Sequence, residues 1–179
     1  MGLDNTFKQN KIIIEWYDEH SESIFKYIFS MIKDYHQAED LTQDTFIRVF
    51  NYISSGKKIT YPKTFIYRIA HHITVDYIRK HASIKIMTDV IFHKKMITDS
   101  SIENHVLISE QFKELYKAIV SLKVSYRQVI ILRKMQGFSI KETADILNWS
   151  ESKVKTTLFR ATKALGKKLK ERGYTYETY

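Results

Sequence analysis

The sequence predicts an all-α protein: two small helical domains joined by a linker, the second of them a helix-turn-helix. Three observations carry this. Turn-forming residues are scarce, with 5 Gly and 1 Pro in 179 residues, fewer than the tight turns of a sheet require. Apolar residues recur at three- and four-residue steps along most of the chain, the spacing of one helix face. Helix-start signals also recur: Pro62, which loses no intrahelical bond in a first turn, and the capping-box pairs Ser100/Glu103 and Ser139/Glu142.

The first helix is expected over residues 6–33, with Ile13, Trp16, Tyr17, Ile24, Tyr27, Ile28, Met31 and Ile32 at helical spacing and His20-Ser21 as a point of interruption. The second spans about 36–54, with Ala38, Leu41, Thr45, Phe46, Val49, Phe50 and Ile53 on one stripe. Ser54-Ser55-Gly56-Lys57-Lys58 reads as a loop, and Pro62 opens a third helix to about His81 with Ile66, Ile69, Ala70, Ile73 and Tyr77 inward. The helical rhythm is lost over 84–99, which reads as an interdomain linker richer in apolar residues than a plain spacer. A fourth helix runs from Ser100 to about Ser121, and a fifth from Ser125 to Gln136, stopped by Gly137. The expected organisation is a domain over 1–83, the linker 84–99 and a second domain over 100–179.

Charge is uneven along this order. The chain carries 29 Lys+Arg against 20 Asp+Glu, a formal +9. Residues 1–60 hold 7 basic and 9 acidic groups, net −2; 61–100 hold 7 and 3, net +4; 101–149 hold 7 and 5, net +2; 150–179 hold 8 and 3, net +5. Two basic zones separated by nearly neutral ones fit two contacts with one long polyanion, although a solvated basic surface gives the same count. Cysteine is absent, which excludes disulfides, thiolate catalysis and Cys-ligated zinc and fits a reducing cytoplasm. No apolar run approaches the ~18–20 residues of a membrane span.

The most informative stretch is Ser139 to Gly166. The Ser139/Glu142 box starts a short helix, Ile140 to Leu147, with small Ala144 on its inner face. Asn148-Trp149-Ser150 breaks it, and Ser150 can cap a further helix from Glu151 to about Lys170. Val154, Leu158, Ala161 and Leu165 face inward, while Lys153, Lys155, Thr156, Phe159, Arg160 and Lys163 face outward. Such a second helix fits the major groove, where these side chains are donors to, or apolar probes of, base edges and phosphates. An ordinary helical hairpin with a basic face gives the same pattern.

Tyr61, Phe65, Tyr67, Arg68, His71, His72, Tyr77, Arg79, Lys80 and His81 crowd one helix ahead of the linker. Aromatic rings stack on unpaired bases and cations follow the backbone, so the combination suits single-stranded DNA; a core role for the rings is the competing reading. No Walker loop, nucleophile elbow or zinc-protease motif is present, and adjacent His71 and His72 point different ways, so no enzyme activity, metal, cofactor or small-molecule substrate is expected.

Three segments together resemble the extracytoplasmic-function sigma factors of the sigma-70 family. Tyr35 to Phe50 (YHQAEDLTQDTFIRVF) is similar to the family's core-polymerase-binding helix, Phe65 to Lys80 (FIYRIAHHITVDYIRK) to its promoter-melting helix, and Leu122 to Leu165, with Tyr126-Arg127 and Phe138 to Ala144, to its C-terminal domain. The resemblance departs at Phe65, His72 and Lys123, where the family often has Trp, Asn and Pro. It implies that the N-terminal domain binds the beta-prime clamp helices of core RNA polymerase, with Asp40, Leu41, Gln43 and Asp44 as the contact set and Leu41 as apolar anchor. It implies that Tyr61, Phe65, Tyr67, Arg68, His71, His72, Arg79 and Lys80 open and read a minus-ten element, and that Lys153, Lys155, Thr156, Phe159, Arg160 and Lys163 read a minus-thirty-five element. Contact with the beta flap and an anti-sigma factor are implied too. A stand-alone helix-turn-helix regulator, binding operator DNA without polymerase, is the alternative.

Overall fold

The computed structural model describes residues 2–88 and 110–173. Within them the chain folds as α1 (Gly2–Ile32), α2 (Tyr35–Ser54), α3 (Pro62–Thr88), α4 (Glu110–Val120), α5 (Val124–Ile130), α6 (Ile140–Leu147) and α7 (Glu151–Lys170), with no strand among the described residues.

The first three helices make the N-terminal layer. Lys33, in the left-handed region at φ 62°, turns the chain within two residues, and the Asp34 carboxylate caps α2 by accepting from Gln37 N–H at 3.0 Å. The hairpin is tied at its far end by Gln9 Nε2, which donates to Ile53 O at 3.2 Å. α1 runs unbroken through His20-Ser21, where an interruption was expected: His20 is buried and its carbonyl accepts from Ser23 Oγ at 2.9 Å. Ile24, Tyr27 and Ile28 of α1 meet Leu41, Phe46 and Val49 of α2 and Ile66, Tyr67 and Ala70 of α3 in the core. Phe50, expected inward, stays at the rim, 37% exposed.

α3 continues past His81 to Thr88, so residues 84–88 of the expected linker are helical. The rest of that linker, and the Ser100/Glu103 box, lie outside the described residues.

The C-terminal layer is built from α4 to α7. α5 begins one residue before the expected Ser125 and widens into a π-helical turn over Ile131–Met135, with Gln136 N–H donating to Ile131 O at 2.9 Å. Gly137, at φ 74°, then reverses the chain, as only a residue without Cβ does cheaply. The Ser139/Glu142 box is complete: Ser139 Oγ accepts from Glu142 N–H at 3.1 Å and Glu142 Oε2 from Ser139 N–H at 2.7 Å. These bonds from Ser139 hold the Glu142 carboxyl below its ordinary pKa.

The two layers pack on each other. α3 lies along α6, the end of α1 meets α5, and the buried residues of both layers form one contiguous cluster. Tyr67, wholly buried, sits at the junction with its ring 5.4 Å from Tyr27 and 4.9 Å from Phe138, both edge-on.

Candidate nucleic-acid and polymerase interfaces

The turn between α6 and α7 is built by residues suited to it. Asn148 adopts the left-handed conformation at φ 53°, which Asn tolerates better than most side chains. Trp149 N–H returns to Ala144 O at 3.0 Å, and Ser150 Oγ accepts from Lys153 N–H at 3.2 Å to start α7. Val154 and Ala161 are buried and Leu158 and Leu165 half-buried, so the inward face is the expected one. The other face carries Lys153, Lys155, Thr156, Phe159, Arg160 and Lys163, all exposed, with Phe159 at 72%. Lys153 Nζ lies 4.1 Å from the Trp149 ring centre, which fixes one cation at the mouth of the turn. An exposed Phe among cations on a capped helix contributes nothing to this core.

If Arg160 contacts a guanine edge, Arg160→Ala costs ~1–3 kcal/mol of promoter binding and relaxes preference at one base pair. Loss of Lys163, if it meets phosphate alone, weakens all sequences alike. Transcription from a promoter library measures both, and unchanged base preference in Arg160→Ala refutes the assignment.

The aromatic segment on α3 divides in two. Tyr61 is 73% exposed, Arg68, His72, Arg79 and Lys80 are exposed, and Phe65 is half-buried; Arg79 is bonded to Asp76 at 2.9 Å. Tyr67 and His71, by contrast, are buried at 0% and 6%. They are corrected from DNA contacts to core residues: Tyr67 fills the junction between layers, and His71 Nδ1 is hydrogen-bonded to Tyr27 Oη at 3.1 Å. Burial, followed by the neighbouring His72, pulls the His71 pKa down to about 4, so the ring is neutral near pH 7.

Sequence reasoning missed the neighbours that complete the exposed part. Tyr52, at the end of α2, packs its ring 4.6 Å from Phe65; Lys57 Nζ stands 5.0 Å from Tyr52 and the Arg68 guanidinium 5.4 Å from Phe65. Cation, ring, ring and cation thus form one contiguous cluster beside the α2–α3 loop, the two rings tilted by 46°. The Lys57-Lys58 pair in that loop was the available signal.

On α2, Asp40 and Gln43 are exposed, and half-buried Asp44 is paired with Arg48 at 3.1 Å. Leu41 is buried in the α1–α2 core and does not serve as an anchor on the outer face, a second correction. The apolar member of that face is Ile47, 57% exposed: positions 40, 43, 44 and 47 follow the three- and four-residue steps of one stripe. That spacing is visible in the sequence.

Among the described residues no cluster of His, Cys, Asp or Glu could hold a metal ion, and no helix is long and apolar enough to cross a membrane.

Capped helix-turn-helix, donor-rich α7, and a cation–aromatic cluster on a separate helical layer define a DNA-reading transcription protein. Residues 16–84 match the family model "Sigma-70 region 2" and residues 112–165 match "Sigma-70, region 4". The chain is 36% identical over 159 residues to the ECF RNA polymerase sigma factor SigX of Bacillus subtilis (84% of this chain, 80% of that one). It is 31% identical over 165 residues to the RNA polymerase sigma factor YlaC of the same organism (90% and 94%). The sigma factor RpoE of Bartonella quintana, solved in complex with the anti-sigma factor NepR, shares the fold with a TM-score of 0.69 at 23% identity (92% of this chain, 97% of that one). The chain belongs to the ECF sigma factors of the sigma-70 family. It is a transcription initiation factor that directs core RNA polymerase to promoters.

Proposed function

We propose the following division of labour. The α2 stripe of Asp40, Gln43, Asp44 and Ile47 docks on the beta-prime clamp helices of core polymerase, with Ile47 as the apolar anchor and the polar groups setting register at the rim. The Tyr52–Phe65–Arg68 cluster, with Tyr61 and His72, captures bases of an opening minus-ten element, and Arg79 and Lys80 follow the backbone. α7 reads the minus-thirty-five element while the C-terminal layer meets the beta flap. The protein supplies recognition and melting and leaves catalysis to the polymerase, in the cytoplasm. An anti-sigma factor holds it in check; the complexes solved for its structural relatives support that partner.

One observation carries this reading: an exposed acidic and apolar stripe on α2, useless for DNA, lies in the same chain as two surfaces suited to it. The expected result is weak, poorly specific promoter binding by the free protein and specific binding once core polymerase is added. Asp40→Ala with Gln43→Ala abolishes that gain and leaves the thermal transition unchanged, since both residues are exposed. Gel shifts with and without core enzyme measure it; tight specific binding by the protein alone favours a stand-alone regulator instead.

A further inference from the structure

Of the six side chains on the outer face of α7, one is already held. Lys153 Nζ lies 4.1 Å from the centre of the Trp149 ring, well inside the ~6 Å reach of a cation–π contact, for which indole is the best ring. Among the described residues no ion pair or ring contact restrains Lys155, Arg160 or Lys163.

The hold is built from both partners. Asn148, in the left-handed region, reverses the chain, and Trp149 N–H returns to Ala144 O at 3.0 Å, so the backbone that carries the ring is fixed. The ring itself is half-buried, packed in part against the core and open on the rest. Lys153 is anchored through its own N–H by the Ser150 Oγ cap. A lysine side chain loses much rotamer freedom when it is ordered, and this one has lost part of it before any ligand arrives, which lowers the entropic cost of binding. Among the described residues it forms no ion pair, so its charge is open to an anion from outside.

The direction of the hold selects the anion. At about 100° per residue, Thr156 and Lys163 stand opposite the buried Val154 and Ala161, and Lys153 falls to one side of them. The ring draws its ammonium further back, toward the turn. A cation placed there faces the wall of the major groove, where the phosphates are, and not the floor, where the base edges are.

We infer that Trp149 is a positioning residue: its ring holds the Lys153 ammonium against a backbone phosphate at the mouth of the groove and so sets the register in which α7 enters it. This rests on the proposed reading of α7 as the minus-thirty-five helix.

Tryptophans carrying one, two and three ring fluorines, placed at position 149, test this. Each fluorine weakens the negative face of the ring, and with it the hold on a cation, while shape and packing are kept. Trp16, the other of the chain's 2 tryptophans, is first changed by Trp16→Phe. Holoenzyme assembled from each protein and core polymerase is titrated with promoter DNA at several salt concentrations. The expected result is a stepwise fall in affinity, about two- to fivefold across the series, the size of an exposed cation–π contact, with an unchanged thermal midpoint. Lys153→Ala weakens binding to all minus-thirty-five sequences alike and lowers the salt slope by about one, and in that variant the fluorine series is flat. Equal affinity across the series overturns the inference, as does the same fall with and without Lys153, because the ring then acts through something else. A Lys153→Ala protein that changes preference at a single base pair overturns the phosphate contact, and one with unchanged affinity and slope overturns both. If the unsubstituted holoenzyme shows no preference among minus-thirty-five sequences, it is the reading of α7 that fails, a separate result.

Discussion

Tyr67→Ala is expected to destabilise the free protein by about 3–5 kcal/mol, the range for deleting a fully buried large ring. The ring has no exposed surface and is flanked edge-on by Tyr27 from one layer and Phe138 from the other. Its removal leaves a cavity on two sides, so neither layer can collapse inward without pulling away from its partner. Tyr67→Phe keeps the ring and removes only the hydroxyl, so it is expected to cost far less than the alanine change. Urea unfolding of the three proteins measures this. Near-normal stability of Tyr67→Ala, together with a promoter-melting defect, would return the residue to the DNA-contacting set.

The second large effect is acid sensitivity. The His71 ring has a folded pKa of about 4 against an ordinary 6.5. The folded state therefore resists a proton that the unfolded chain accepts. Stability from this group is full above about pH 6.5, falls as the pH drops toward 4, and changes no further below it. The span corresponds to about 3 kcal/mol at ~1.4 kcal/mol per pH unit. His71→Gln cannot titrate but can still accept from Tyr27 Oη, so it should lose this part of the pH dependence while other groups keep theirs. Denaturation midpoints at pH 7 and pH 4.5 for both proteins isolate the term, and parallel profiles would show that His71 is not its source.

Tyr67 and His71 read as DNA contacts in the sequence for a physical reason. A helix with one buried stripe shows a narrow apolar face, and Ile66, Ile69, Ala70 and Ile73 of α3 supply one. The helix is in fact covered on two sides, by α1 and α2 and by α6, and the buried set widens to Tyr67, His71 and Thr74. Nothing local announces a second cover, because α6 begins at Ile140, about fifty residues after α3 ends at Thr88. Leu41 failed for a related reason: its polar neighbours in sequence sit on the other side of the helix, with Ile47. What was legible was local chemistry. The Asn148-Trp149-Ser150 break, the Ser139/Glu142 box and the Gly137 reversal each depend on residues within a few positions of one another, and each is where it was expected. The outward set of α7 followed from that phasing.

The π-turn at Ile131–Met135 takes up length without turning the helix. Each residue of a regular helix advances the chain by about 100°, and a π-turn houses one residue more, each advancing less. Deleting a single residue there is expected to restore the ordinary spiral and leave everything downstream, the DNA-reading helix included, facing as before. The same deletion in the regular part of α5 has no such slack and would swing the reading helix around the axis by about 100°.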